Sequence, residues 1–218
     1  MKLRPPARFA AGLIWILLAA LSAGPVAAAP EAAFEAAFVS FSRASGGDSS
    51  AVDAAADAFE ALRRAEPGNP VLLAYAGASL AMKAGTTMMP WKKMDYAEDG
   101  LAEIDKALAL LTPAHDAAIQ HFTPGTLEVK FVAANTFLAV PGFMNRGARG
   151  KKLLDEVLGS PLFEPSPLPF RGQVWMRAAA LAAKEQRAAD ARRLLNEVVS
   201  RGAPQAEAAK AKLKELGA

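Results

Sequence analysis

The feature that most constrains the fold is a helical spacing of apolar residues, which recurs along the chain after residue 30. Apolar side chains return every three or four positions, as in Phe34, Phe38 and Phe41. This spacing places them on one face of an α-helix, whereas a half-buried strand would need strict alternation. The same segments are rich in Ala, Leu, Glu, Lys and Arg, which are good helix formers. The sequence therefore predicts an all-α fold.

Breaks that contain proline or glycine separate the helical segments. Proline is favoured in the first turn of a helix and glycine just after its end. Such residues occur at 46–48, 67–70, 112–113, 124–125, 141–142, 161–169 and 202–204. The pattern predicts about nine helices joined by short loops, and it contains no convincing strand.

Two stretches, residues 52–80 and 172–204, resemble the tetratricopeptide repeat. In that family the first helix of each repeat opens with a large residue, continues with two small ones and ends with a large one. The matching residues here are Leu73, Ala76, Gly77 and Leu80 in one unit, and Trp175, Ala178 and Ala179 in the other. The resemblance extends more loosely over residues 32–216. It implies a right-handed α-α superhelix of stacked helix pairs, a scaffold that binds other proteins.

The predicted repeats are longer than the family's period of about 34 residues. The small residue of each second helix aligns at Ala55, Gly100, Gly150 and Ala191, at intervals of 45, 50 and 41 residues. The extra residues fall near 81–96, near 111–127 with 139–146, and near 162–170. Because repeat cores specify a fold and not a chemistry, we expect function in these inserts.

The first residues of the chain have the three parts of a secretory signal peptide. Lys2, Arg4 and Arg8 form a positive region, residues 9–23 are apolar, and small residues follow at 26–29. The apolar run is shorter than the ~20 residues that span a bilayer. We predict a signal peptide at 1–28, cleaved after Ala28, and a single repeat domain at 29–218 in the periplasm. An uncleaved membrane anchor is the alternative.

Charge gives no support for nucleic-acid binding, and the cysteine content excludes thiol catalysis and cysteine-ligated zinc. The chain has 25 basic and 22 acidic residues, but three of the basic ones and none of the acidic ones lie in residues 1–28. The predicted mature chain is therefore neutral and lacks the basic footprint of a nucleic-acid-binding protein. There is no cysteine, which excludes thiol catalysis, disulfides and cysteine-ligated zinc.

The insert at residues 85–96 combines aromatic, methionine and lysine side chains. One hypothesis is a docking surface made by Trp91, Lys92, Lys93 and Tyr96, since aromatic residues are favoured at interaction hot spots. A second is a Cu(I) site, because soft thioether ligands suit that ion and four methionines cluster here: Met82, Met88, Met89 and Met94. The alternative to both is that these side chains fill gaps in the core.

The segment at residues 141–152 places Arg146, Arg149, Lys151 and Lys152 at the opening of a predicted helix. Cations there oppose the helix dipole. The arginines and the free backbone N–H groups could hold a carboxylate or a phosphate. The segment is not a P-loop, since Asn145 and Lys152 stand where that motif needs glycine and a hydroxyl residue. Alternatively, its glycines allow close helix packing and its cations are solvated.

Asn135 and Arg177 are further candidates. Some tetratricopeptide domains bind peptide carboxylates with Asn and basic residues on first helices, and these two residues are of the matching types. Asn135 lies in a predicted apolar helix, residues 127–140. The rest of that clamp has no counterpart here.

Together these features predict a periplasmic scaffold or adaptor for a protein or peptide partner in the cell envelope, with an anionic ligand as a further candidate. A small-molecule or metal carrier is the alternative. An enzyme is disfavoured, because the sequence offers neither a nucleophile with a base nor a cofactor motif. Its two histidines, His115 and His121, lack the i, i+4 spacing of a metal pair.

Overall fold

The computed structural model describes residues 31–120 and 122–217. Over these residues the chain forms nine α-helices, which confirms the predicted all-α class. The helices are α1 (Glu31–Ser45), α2 (Val52–Ala65), α3 (Pro70–Thr86), α4 (Pro90–Ala109), α5 (Gly125–Ala139), α6 (Gly147–Leu158), α7 (Leu168–Lys184), α8 (Ala188–Ser200) and α9 (Ala206–Glu215). The predicted signal peptide (1–28), its cleavage site and His121 lie outside the described residues.

Helices that are adjacent in sequence pack against each other, most extensively in the pairs α3–α4, α7–α8 and α5–α6, while α2 packs on both α1 and α3. The helix α3 also packs on α5, the first helix of the following pair. This order of neighbours agrees with a stack of helix pairs. The superhelical course of that stack stays a prediction.

The helix α3 is the centre of the packing. Its residues Pro70–Ser79 are all buried, because α1, α2, α4 and α5 all pack against it. An apolar surface all round is expected for an interior helix. The sequence fixes its start: Asn69 accepts hydrogen bonds from the N–H groups of Val71 and Leu72, and Pro70 occupies the first turn.

Two glycines hold α3 and α4 at backbone contact. A Cβ atom at Gly77 would lie 2.6 Å from the carbonyl oxygen of Gly100, and one at Gly100 would lie 2.5 Å from that of Gly77. Neither position has room for a side chain. Gly77, from the small pair of the first-helix pattern, and Gly100, the aligned small residue of the second helix, therefore meet at one helix crossing.

The other three aligned small residues are also buried. Ala55 and Ala191 lie fully inside the core. A Cβ atom at Gly150 would lie 2.9 Å from a side-chain carbon of Leu138, on the neighbouring helix α5. Small residues thus permit close packing of α5 and α6, as they do for α3 and α4.

The inserts take three different forms. The first lengthens α3 and α4, so that the break between them is confined to Thr87–Met89. The second forms a 3₁₀ turn (Pro113–Asp116) and two antiparallel strands, β1 (Ala118–Gln120) and β2 (Thr123–Pro124). The prediction of no strand is therefore wrong at this point, because a hairpin this short has no alternating pattern to reveal it. The third is a turn in which the Ser166 hydroxyl donates to the Leu162 carbonyl over 2.7 Å.

One apolar core extends from α1 to α9, and a smaller cluster lies between α1 and α2. The smaller cluster consists of Ala44, Ala51, Val52 and Ala55, with Phe41 and Met82 packed against it. Among the described helices, none combines the length and the apolar character needed to cross a bilayer.

Candidate partner-binding surfaces

The first candidate surface is the end of the α3–α4 hairpin, residues 85–96, here called the hairpin tip. The helix α3 ends nine residues after Gly77, and α4 begins ten residues before Gly100. At 1.5 Å per residue the hairpin extends about 15 Å beyond that contact. In the next pair, α6 begins only three residues before Gly150. The extra residues of the first insert therefore lengthen both helices of this hairpin.

The hairpin tip carries most of the exposed apolar surface. Met88 is 92% exposed, Trp91 68%, and Met89 and Met94 41% each. These four are among only seven large apolar side chains exposed on the described part of the chain. The alternative that this segment fills the core therefore fits Met82, which packs against the smaller cluster. The four thioethers lie in different environments, and the copper hypothesis stays a prediction.

One side of the hairpin tip is polar. Lys83 pairs with Asp53 at 2.9 Å, and its ammonium lies 5.6 Å from the centre of the Tyr96 ring. The hydrogen bond to Asp53 raises the pKa of Lys83 above its ordinary value. A shallow cleft here is lined by Ser49, Ser50, Asp53, Lys83, Gly85, Thr86, Thr87 and Tyr96. Neither Lys92 nor Lys93 forms an ion pair with a described residue.

The segment at 141–152 is tied into the fold by ion pairs. Arg146 pairs with Asp105 of α4 at 2.9 Å, and Arg149 pairs with the other oxygen of the same carboxylate. Both guanidinium groups also lie over the Phe137 ring, 5.3 and 5.2 Å from its centre. Asp105 supplies the negative charge that the first turn of α6 lacks. The structure thus gives both predicted anion-binding arginines an internal carboxylate.

Lys151 lies at the joint between α6 and α7. Its ammonium is 3.0 Å from a carboxylate oxygen of Glu185, which also accepts a hydrogen bond from Arg187. Those two hydrogen bonds lower the pKa of Glu185, with Arg187 as the larger cause. Lys151 therefore links two helix pairs, and the Glu185 carboxylate neutralises its charge.

Arg177 and Asn135, predicted as a pair from residue type, are in contact. The Arg177 Nη2 atom donates to the backbone carbonyl of Asn135 over 3.2 Å, although 42 residues separate them. The Nε atom of Arg177 is buried without a partner. Arg177 forms no ion pair with any described residue, and burial lowers the pKa of its guanidinium. It is a half-buried cation with unused donors.

A buried acid, Glu128 on α5, is the unusual group that the sequence analysis missed. It is 3% exposed, and its Oε1 atom accepts a hydrogen bond of 2.9 Å from the Tyr75 hydroxyl on α3. Burial raises the pKa of Glu128 to about 8, and the nearby Glu31 adds to the rise while the Tyr75 bond opposes it. Burial also raises the pKa of Tyr75. The available signal was the only acid of a largely apolar helix.

Aromatic rings enclose this buried pair. The Tyr75 ring lies 4.8 Å from both Phe41 and Phe59, and Phe34 and Phe38 approach it at 5.6 and 5.8 Å. Such surroundings disfavour charge, so the carboxyl is held largely protonated at neutral pH. The second carboxyl oxygen has no partner. The Tyr75–Glu128 pair is therefore buried in the core and inaccessible to solvent.

On the described part of the chain, no three His, Asp or Glu side chains are grouped closely enough to hold a metal ion. His115 has a local role: its Nδ1 atom accepts a hydrogen bond of 2.9 Å from the backbone N–H of Thr112. It thereby caps the 3₁₀ turn at Pro113–Asp116.

No protein-family model matches the chain, and no curated protein or solved structure matches it significantly. The resemblance to the tetratricopeptide repeat therefore stays an expectation that rests on the residues themselves. Two candidate surfaces remain: the half-buried Arg177 with Asn135, and the exposed hairpin tip.

Proposed function

We propose that the protein is an exported, tetratricopeptide-like scaffold that holds a segment of a partner protein in the cell envelope. In this proposal Arg177 and Asn135 receive an acidic group of that segment. The predicted signal peptide supports export to the periplasm, where the partner would be met. The pairwise packing of the described helices supports the scaffold.

The observation that carries the proposal is the state of Arg177. A half-buried guanidinium has lost much of its hydration, and without a carboxylate beside it that loss is not offset. Its one described hydrogen bond goes to a neutral carbonyl oxygen. A carboxylate from a partner would complete its hydrogen bonding with charge-assisted, bidentate bonds.

The position of the pair supports the same conclusion. Asn135 lies on α5 and Arg177 on α7, the first helices of successive pairs. The resemblance implies that first helices line the binding surface of such a stack. The side-chain amide of Asn135 makes no hydrogen bond to a described residue, so it too can serve a ligand. By contrast, Arg146, Arg149 and Lys151 already have carboxylate partners.

The test replaces Arg177 with Gln and compares recovery of the partner after cross-linking in the intact envelope. We expect recovery to fall about tenfold or more, since hydrogen bonds to charged groups contribute ~1.5–3 kcal/mol. The melting temperature should stay the same or rise, because an uncompensated half-buried charge is removed.

The matched control is Arg193→Gln, which removes an exposed arginine of α8 that has no ion pair. It should leave both partner recovery and the melting temperature unchanged. Full recovery with the Arg177 variant would sink the proposal, as would an equal loss with the control.

A further inference from the structure

The hairpin tip brings exposed apolar groups and unpaired cations together on a short stretch of chain. Met88, Met89, Trp91 and Met94 fall within seven residues, and Lys92 and Lys93 lie between them. Single exposed apolar residues are ordinary, but a cluster marks an interaction site. None of these four apolar side chains lines the polar cleft beside the hairpin tip.

The residue types at the hairpin tip fit a lipid surface. Tryptophan is favoured at the boundary between headgroups and acyl chains, where its ring is apolar and its N–H remains hydrated. Methionine is flexible and adapts to irregular apolar surroundings. Lysines beside such residues are attracted to anionic headgroups.

The charges along α4 are ordered to suit this contact. Lys92 and Lys93 lie in the first turn, and the acids Asp95, Glu98 and Asp99 follow towards the body of the protein. Glu98 lies about 9 Å further along the helix axis than Lys92. Along α4 the cations therefore lie nearer the end of the hairpin than the acids, which is the order that suits contact with an anionic surface.

No negatively charged side chain stabilises the N-terminus of α4. Its N-cap residue is Met89, which provides no side-chain cap, and its first turn contains no acid. Two lysines in this turn oppose the helix dipole, at a cost in stability. Lipid phosphates would offset both defects, since anions are stabilising near helix N-termini.

We propose that the hairpin tip docks on the surface of an anionic phospholipid bilayer. Trp91 and the three methionines enter the boundary between headgroups and acyl chains, and Lys92 and Lys93 contact lipid phosphates. This goes beyond the scaffold function, because it gives the protein a place at a membrane independent of its protein partner. It uses a surface separate from Arg177 and Asn135.

The test measures how deeply Trp91 enters vesicles. The full chain is mixed with vesicles of phosphatidylglycerol and phosphatidylcholine whose acyl chains carry bromine, a contact quencher of tryptophan fluorescence. Each protein is compared with its own Trp91→Phe counterpart, so that the difference reports Trp91 alone. The chain's other tryptophans, Trp15 and Trp175, and its apolar N-terminal segment then contribute equally to both samples.

We expect the Trp91 signal to shift to shorter wavelength and to be quenched on anionic vesicles. Both effects should weaken on phosphatidylcholine alone. The Lys92→Glu/Lys93→Glu variant should lose about fivefold in vesicle affinity per lysine removed, since each lysine near an anionic surface contributes ~1 kcal/mol. Reversal of their charge makes this loss a lower limit.

A matched control is Lys212→Glu/Lys214→Glu, which changes the net charge equally at exposed positions of α9. Phe122→Gln removes an exposed aromatic ring elsewhere. Both should leave the quenching of Trp91 intact. The proposal is overturned if Trp91 shows no quenching, or if the α9 variant loses as much affinity as the hairpin-tip variant. It is also overturned if a photo-cross-linker in place of Met88 joins a protein while vesicles leave Trp91 unquenched.

Discussion

At the scale of single residues, the contrast between Glu128 and Arg177 is informative. Both are ionisable side chains withdrawn from water and without an ion-pair partner. Glu128 has one donor, Tyr75, and its surroundings raise its pKa to about 8, so it is largely neutral at pH 7. An arginine cannot discharge at physiological pH and keeps its charge. The same loss of hydration therefore leaves Glu128 as a neutral, buried carboxyl group and Arg177 as a charged candidate for ligand binding.

Replacement of Glu128 by Gln should change the pH dependence of stability. The folded-state pKa of about 8 lies above the ordinary value of 4.5, so between these values the folded state retains a proton that the unfolded state loses. Stability contributed by this group is fully present below pH 4.5 and is lost as pH rises towards 8. The slope is about −1.4 kcal/mol per pH unit within that window.

Urea denaturation of both proteins at a series of pH values measures this difference. The Gln variant keeps the hydrogen bond from Tyr75 and should lack the slope, so it becomes the more stable protein at alkaline pH. Glu98→Gln, at an exposed position of α4 without an ion pair, is the control and should behave as the wild type. Parallel curves for the wild type and the Glu128 variant would contradict the assignment.

The sequence could not reveal either residue's environment. Tyr75 and Glu128 are 53 residues apart, and a pattern of helical spacing says nothing about which side chains from distant helices meet. Asp105 and Arg149, 44 residues apart, show the same limit. The conflict between the cations and the dipole of α6 was visible in the sequence, but its compensation by Asp105 was not. Arg177 and Asn135 are named together by residue type, whereas their observed contact uses the main-chain carbonyl of Asn135 and not its side chain.

At the scale of helices, local signals gave good boundaries. Asn69-Pro70 marks the start of α3, and the helix predicted at 127–140 is observed at Gly125–Ala139. Because caps, prolines and apolar spacing act within a few residues, they allow helix boundaries to be predicted from the sequence. The β1–β2 hairpin was missed because five strand residues leave no periodic trace. The extra residues near 81–96 are predicted as an insert, but the sequence does not show that they lengthen α3 and α4.

Substitution of Gly100 by Ala should destabilise the protein by about 1–3 kcal/mol, as expected for overpacking of a tight contact. The added methyl group would meet the main chain of α3, which cannot move aside as a flexible side chain could. Chemical denaturation measures the loss.

Gly85→Ala provides the comparison for this test. Gly85 also lies on α3, but a Cβ atom there has no neighbour within 4 Å. Because alanine is the better helix former, this variant should be as stable as the wild type or more so. Similar losses for the two variants would show that helix propensity, and not the contact, governs Gly100.

At the scale of the whole molecule, packing is deepest around α3 and weakest at α9. The helix α3 has ten consecutive buried residues, whereas Ala209 is the only buried residue of α9. Ion pairs add links between successive helix pairs, through Asp105 and through Lys151 with Glu185. Stability is therefore expected to fall from the centre of the molecule towards its C-terminal end.

Native-state hydrogen exchange should show this gradient. Amides in the middle of α3 should exchange only through global unfolding, whereas those of α9 should exchange through local opening with much lower free energy. Mass spectrometry of peptides from the two helices at several times measures it. Equal protection of α3 and α9 would mean that the molecule opens as one unit.

The contact between Gly77 and Gly100 has a consequence for ancestry. Where two main chains are in contact, only glycine fits at both positions, and a substitution at one cannot be compensated by a substitution at the other. Homologous chains should therefore retain both glycines, 23 residues apart, even where the surrounding helices have diverged. The spacing of this pair, set by the length of the α3–α4 hairpin, would be a lineage marker that distinguishes true relatives from unrelated helical stacks.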